Sequence, residues 1–277
     1  MTIDTADVKE FQITRRMVDY FRNSSKDDND LHKQDGIVLG FQTAGLLRDF
    51  ADESVHGYKC TKQETDFLRP VPIDSVVGCY AKQIRQVVDI DAKEIVVEMK
   101  VKGREKPAAI STLTYEQRLF YDENANVNGT AYVLDQSDAE GIARGLGKEG
   151  ADISTLVFAL ASNVLYKDAK KLVDRAADQG LLPVYSRQIV RPHRPLDNGL
   201  AAGDTIYIST NAQEVADRAE RHETKRRMLG NGRKLEESVY TTDVIATTQN
   251  KVIVYRANLR LAFTTKEALL KTAQSLD

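Results

Sequence analysis

The chain has 277 residues, of which 39 are Lys or Arg and 41 Asp or Glu; the net charge of -2 provides no basic field for general nucleic-acid binding. Its length suits one large domain or two ordinary ones, and either can bury a sizeable core. The longest apolar runs, such as 156–165, fall far short of the roughly 20 residues a bilayer span needs, and Ser162 and Asn163 interrupt that one, so no membrane anchor is expected.

Cys60 and Cys79 match no metal-ligand spacing. With no apolar export segment near Met1, they read as free thiols in a reducing, cytoplasmic compartment.

In chain order, 13–23 (ITRRMVDYFRN) places Ile13, Met17, Val18 and Tyr20 or Phe21 near helical spacing, which predicts a short amphipathic helix leading into a polar loop, DDNDLH (27–32). From 36 to 54, Ile37, Phe41, Ala44, Leu47 and Phe50 recur at three- and four-residue intervals, the pattern of a central helix with a broad buried face. The period then changes. FLRPVPID (67–74) carries two prolines and precedes three runs rich in β-branched residues, 76–90, 93–101 and 108–120, which read as strands of a meander with a turn at 102–107. The stretch 122–150 repeats Asn, Gly and Asp with little apolar periodicity and reads as a connection, with a boundary near 135.

A helical pattern returns over 152–177, followed by IVRPHRPLD (189–197) and strand-like runs at 204–212, 238–248 and 251–263. Arg69-Pro70 and Arg191-Pro192 lie 122 residues apart, and the same offset carries 36–54 to 158–176, inside the second helical stretch. One helix and one antiparallel meander, performed twice, predict an α+β chain of two units, 1–135 and 136–277, each a curved sheet wrapped around a long helix. Side-by-side pairing of the units would cover a sheet edge in each.

DDNDLH alone admits two readings. Asp and Asn favour solvated turns and helix caps, whereas a carboxylate beside an imidazole is a candidate acid–base pair. With its flanks, the segment resembles the MaoC-like hot-dog family, which includes (R)-specific enoyl-CoA hydratases and 3-hydroxyacyl thioester dehydratases. Asp27, Asn29, Leu31 and His32 fit the family pattern D-x-N-P-[LIV]-H; Ile37, Val38 and Gly40 fit I-V-H-G-M; and 67–72 (FLRPVP) resembles the family's F-x-R-P-V-P. The chain departs from the family at Asp30, where proline is usual, at Lys26, where glycine is usual, and in the short span from His32 to Gly40.

The resemblance implies a double hot-dog with Asp27 and His32 as the catalytic pair, Asn29 positioning the loop and the Gly40 N–H stabilising the thioester oxygen as charge develops there. As a loop residue, His32 is expected to be peripheral to the core. The substrate would be a 2-enoyl or 3-hydroxyacyl thioester carried by CoA or an acyl carrier protein, with no metal or other cofactor and no membrane or nucleic-acid partner. Homodimers of such pseudo-dimers are a further expectation.

The same offset sends Asp27 to Glu149 and His32 to Ser154, so the second unit carries no equivalent pair and is expected to shape the acyl tunnel, through Phe158, Leu160 and Val164. Arg191, His193 and Arg194 are candidate contacts to CoA or carrier phosphates, against a plain reading as a polar strand entry. His56 reads as a helix-end residue. The charge run 214–234 reads as a solvated excursion, with carrier docking as the sharper alternative. Two rival functions remain, a hot-dog thioesterase and a non-catalytic thioester-binding or assembly subunit.

Overall fold

A computed structural model describes residues 8–27, 30–33, 36–55, 57–87, 92–117, 129–150, 153, 155–157, 159–160, 170–192, 200–210 and 239–274. The first half runs β1 (Val8–Gln12), α1 (Arg15–Ser25), the single turn α2 (Asp30–Lys33), α3 (Gly40–Glu53), β2 (Lys59–Phe67), β3 (Val76–Val87), β4 (Ala92–Val101) and β5 (Ala109–Glu116). The second runs β6 (Thr130–Val133), α4 (Gln136–Gly145), helical residues within 153–160, α5 (Lys170–Asp178), β7 (Leu181–Pro192), β8 (Thr205–Thr210), β9 (Val239–Thr248), β10 (Ile253–Thr265) and α6 (Lys266–Gln274).

All ten strands form one antiparallel sheet in the order β1-β3-β4-β5-β2-β7-β10-β9-β8-β6. Read inward from its two edges, that order is β1-β3-β4-β5-β2 and β6-β8-β9-β10-β7, so every strand of one half has a counterpart in the other. The halves join where β2 meets β7, with Gln63 opposite Val190 and Asp66 opposite Arg187. There Arg187 bonds Glu64 and lies 3.5 Å from Asp66.

The alternation of β4 and β5 buries Ile95, Val97, Met99, Leu113 and Tyr115 on one face, and α3 lays Phe41, Leu46, Leu47 and Phe50 into the same core. Each such side chain contributes about 1.5–3 kcal/mol of burial. Bulges between Ala81 and Gln83 and between Cys60 and Lys62 bend the strands around the helix.

Several elements differ from the sequence expectation. The stretch 122–150, read as a connection, holds β6 and α4; β6 precedes the boundary expected near 135 and pairs with β8. The offset of 122 in fact carries β1 to 130–134 and α1 to 137–147. The signal is faint because β6 is a short, largely exposed edge strand and α4 packs through glycine. A Cβ on Gly141 would come within 1.9 Å of Ser24 Oγ, and one on Gly145 within 2.7 Å of Phe21 Cβ, so only glycine lets α4 sit this close to α1.

The central helix begins at Gly40 rather than 36, because 36–39 runs extended beside 71–73: Ile37 bridges Pro72, and the Val38 N–H donates to the Val71 carbonyl at 2.9 Å. Finally, β2 was not anticipated. Its inward face carries Gln63 and Thr65, buried polar groups bonded to Ser111 and to the Ala44 carbonyl of α3, so it lacks an apolar signature.

Both cysteines are buried free thiols, and burial pushes Cys60 up to about 11 and Cys79 to about 12. No helix among the described residues is long and apolar enough to cross a membrane.

Candidate active site

The segment carrying His32 is held from three sides. Thr14 caps α1 by accepting from the Met17 N–H, and α1 ends at Lys26 in a left-handed conformation, φ 58°. This is the position where the resembling family has glycine, the residue that adopts such angles without a Cβ penalty. The turn directs Asp27 inward, where it is 5 % exposed and its N–H donates to the Arg22 carbonyl.

From α1, Arg15 Nη1 reaches across to donate to the carbonyls of His32 at 2.9 Å and Lys33 at 3.3 Å, while its own backbone N–H donates to Asp74 Oδ1. The 67–74 segment thus positions the loop through Asp74 and the extended residues 36–38. Its Arg-Pro motif, which marks the repeat and resembles the family's F-x-R-P-V-P, belongs to this scaffold.

His32 itself is 6 % exposed. This corrects the expectation of a peripheral loop residue, since the single turn α2 and the 36–38 segment enclose it. Its Nδ1 lies 2.9 Å from the Ile37 carbonyl. A carbonyl can only accept, so the ring proton sits on Nδ1 and Nε2 carries the lone pair. Burial lowers the imidazole's pKa below its ordinary value; the charge of Asp27 and the Ile37 carbonyl oppose this, and Arg22 adds to it. The group is therefore a neutral base at pH 7 with an anion beside it.

His32 lines a cavity of about 260 Å³. The first half supplies Ile37, Val38, Gly40, Thr43 and the stretch 67–71; the second supplies 183–185 of β7 and Thr264, Ala268, Leu269 and Thr272 near or on α6. Gly40 is the first residue of α3, whose N-cap, Leu39, offers no side-chain bond. The opening N–H groups of a helix have no internal partner, and the aligned peptide dipoles make that end positive. A Cβ at Gly40 would stand 3.5 Å from both Phe67 Cζ and Tyr185 Cδ2. Glycine therefore leaves the backbone open to a ligand between those rings.

Of the residues singled out in the sequence, His32 and Gly40 reach the cavity wall. Asp27 is buried and close enough to bias the imidazole, and it does not line the wall. Asn29, His193, Arg194, His56, Phe158, Val164, Ser154 and the run 214–234 lie outside the described residues. Arg191 is exposed, six residues along β7 from Tyr185, or about 20 Å at the rise of a strand. Leu160 is buried in the core, so within the described second half the wall comes from β7, Thr264 and α6.

Tyr185 and α6 carried no mark in the sequence reading, and Phe67 and Arg69 stood out only as parts of the 67–72 motif and, for Arg69, the repeat, not as cavity wall. One signal for α6 was present: Thr265 opens it, accepting from the Ala268 N–H through Oγ1 at 3.1 Å. No group of three or more potential metal ligands occurs among the described residues.

Neither a protein-family model nor a curated protein matches this chain by sequence. Solved structures do match its fold. HtdX of Mycobacterium tuberculosis aligns over 91 % of this chain and 99 % of its own at TM-score 0.51 and 11 % identity. A MaoC-like dehydratase from Phytophthora capsici aligns over 96 % and 98 % at TM-score 0.53 and 8 % identity. The chain folds as a double hot-dog. An acyl-CoA thioesterase II, TesB2, from Mycobacterium marinum shares the double hot-dog over 95 % of both chains at TM-score 0.54 and 8 % identity. Identities this low establish the fold alone.

Proposed function

We propose that the chain is a hydratase/dehydratase of acyl thioesters, adding water across a 2-enoyl thioester or removing it from the 3-hydroxy form. The observation that carries this reading is the neutral imidazole of His32 and the uncapped N-terminus of α3 at Gly40 on the wall of one cavity. In the hydration direction, Nε2 takes a proton from water as the water oxygen bonds to C3. The C2–C3 π electrons move onto the thioester as an enolate, whose oxygen accepts from the Gly40 N–H. The imidazolium then returns its proton to C2, so the balance is one water added. Asp27 acts through His32, its charge stabilising the imidazolium while the proton is held.

The hydrolytic alternative, in which a carboxylate activates water at the carbonyl carbon, has less support because the described cavity wall carries no carboxylate. Crotonyl-CoA separates the readings. Loss of enoyl absorbance with CoA still acylated is the expected result. Release of free CoA would replace the proposal with thioesterase activity, and tight binding with neither change would leave a thioester-binding subunit.

A further inference from the structure

One cation lines the cavity and a second stands near it, and the chemistry above uses neither. Arg69 lines the rim, and its half-buried guanidinium makes no ion pair or hydrogen bond among the described residues. Its backbone N–H donates to the Ala108 carbonyl at 3.0 Å, which sets it against the turn between β4 and β5. Arg104, on that turn, donates from Nη2 to the Ala273 carbonyl in the last turn of α6, the helix that supplies the opposite wall.

The remaining nitrogen, Arg104 Nη1, is shielded from solvent and has no partner. Partial burial and the positive charge of Arg69 both make Arg104 a less stable cation than usual. Several other cations in or beside the sheet are paired, as with Lys62 and Glu64, Arg85 and Glu94, or Lys102 and Glu10. Arg69 on the cavity wall and Arg104 beside it, with its orphan donor, bring two like charges together with no anion between them among the described residues.

We propose that Arg69 and Arg104 bind the phosphate of the carrier arm from which the acyl thioester hangs. The inference rests on the acyl-thioester reading and deepens it. Guanidinium forks fit phosphate oxygens, and the position at the rim leaves the acyl end to pass inward towards His32 and Gly40. It also moves the phosphate contact from Arg191, which stands along β7 away from this wall, to the mouth itself. The phosphate shared by CoA and by a carrier protein's phosphopantetheine is the recognised group.

The test compares crotonyl-phosphopantetheine with crotonyl-pantetheine, which differ by that phosphate alone. The wild type is expected to show a KM about tenfold lower for the phosphorylated thioester. In Arg69→Ala, and in Arg104→Lys where α6 keeps a cation at its end, the KM ratio should collapse towards one. An unchanged ratio in Arg69→Ala overturns the site. Calorimetric binding of free phosphopantetheine against pantetheine gives a readout independent of turnover. If the wild type discriminates between them and Arg69→Ala does not, the site stands even where no hydration is found; equal binding by the wild type removes it. Crotonyl-CoA against a crotonyl carrier protein then distinguishes the two sources of the phosphate.

Discussion

Two cavities among the described residues lie in places related by the duplication, and their polar groups differ. The offset of 122 relates Ile37 to Ala159 and Gln63 to Tyr185. Ile37 and Tyr185 line the His32 cavity, while Ala159 and Gln63 line a smaller one of about 100 Å³ on the other side of α3. Phe41, on the wall of the smaller cavity, meets Tyr185 edge-on at 5.4 Å, so one aromatic pair divides the two spaces.

In the smaller cavity several charged groups pair with one another, while Asp49 Oδ2 and Gln188 Oε1 are buried with no hydrogen-bond partner among the described residues. Lys148 binds Asp49 at 2.5 Å, Arg48 lies 3.5 Å from Asp52, and Tyr115 donates to Asp52 at 2.6 Å. In the larger one a buried imidazole shares the wall with a helix end that has no side-chain cap. The first half thus supplies His32 and Gly40 to the larger cavity, and the second supplies β7 and α6 as wall.

The sharpest break in this comparison is Gly40→Ala. The added methyl meets Phe67 and Tyr185 at ordinary contact distance, so the fold should hold. It would, however, occupy the approach to the helix N-terminus, and kcat on crotonyl-CoA should fall about 100-fold, the order expected for losing one oxyanion donor. Asp52→Asn in the other cavity should leave kcat within about twofold; a loss matching that of Gly40→Ala would erase the distinction between the cavities.

The next effect is in pH. Burial depresses the His32 pKa, so the folded state resists protonation while the unfolded chain takes up a proton near 6.5. Stability contributed by neutral His32 is therefore present above 6.5 and lost as pH falls towards the lower folded value. The acid limb of kcat/KM should lie below 6.5, and its appearance above 7 would contradict a buried neutral base.

The smallest effect belongs to Asp49, whose pKa burial raises to about 6 despite Lys148. Its ionisation costs stability as pH rises from the unfolded value near 4 to 6 and beyond. Asp49→Asn should therefore be more stable than wild type by about 2 kcal/mol at pH 7, with the gap closing by pH 4 in denaturant titrations.

The architecture was legible where side chains repeat with a period. Phe41, Leu47 and Phe50 announce α3, and the β-branched runs announce β3 to β5 and β8 to β10. It was illegible where burial is polar or the packing residue is glycine. Gln63 and Thr65 hide β2, and Gly141 and Gly145 hide α4, because hydrogen bonds and close backbone contact leave no apolar pattern. His32 and Gly40 were singled out through motif resemblance, and both reach the cavity wall. Phe67 and Arg69 stood in a motif without a wall role being read for them, and Tyr185 had no signal, since a wall needs only shape and charge at places that tertiary folding brings together.

The most direct measurement is the rate of crotonyl-CoA hydration by His32→Asn. The Asn amide can still donate to the Ile37 carbonyl, so the local hydrogen bond survives while the Nε2 lone pair disappears. The account predicts a folded variant, with thermal unfolding close to wild type, whose kcat drops at least about 1,000-fold. A folded His32→Asn protein that hydrates crotonyl-CoA at the wild-type rate would show that the imidazole is not the base.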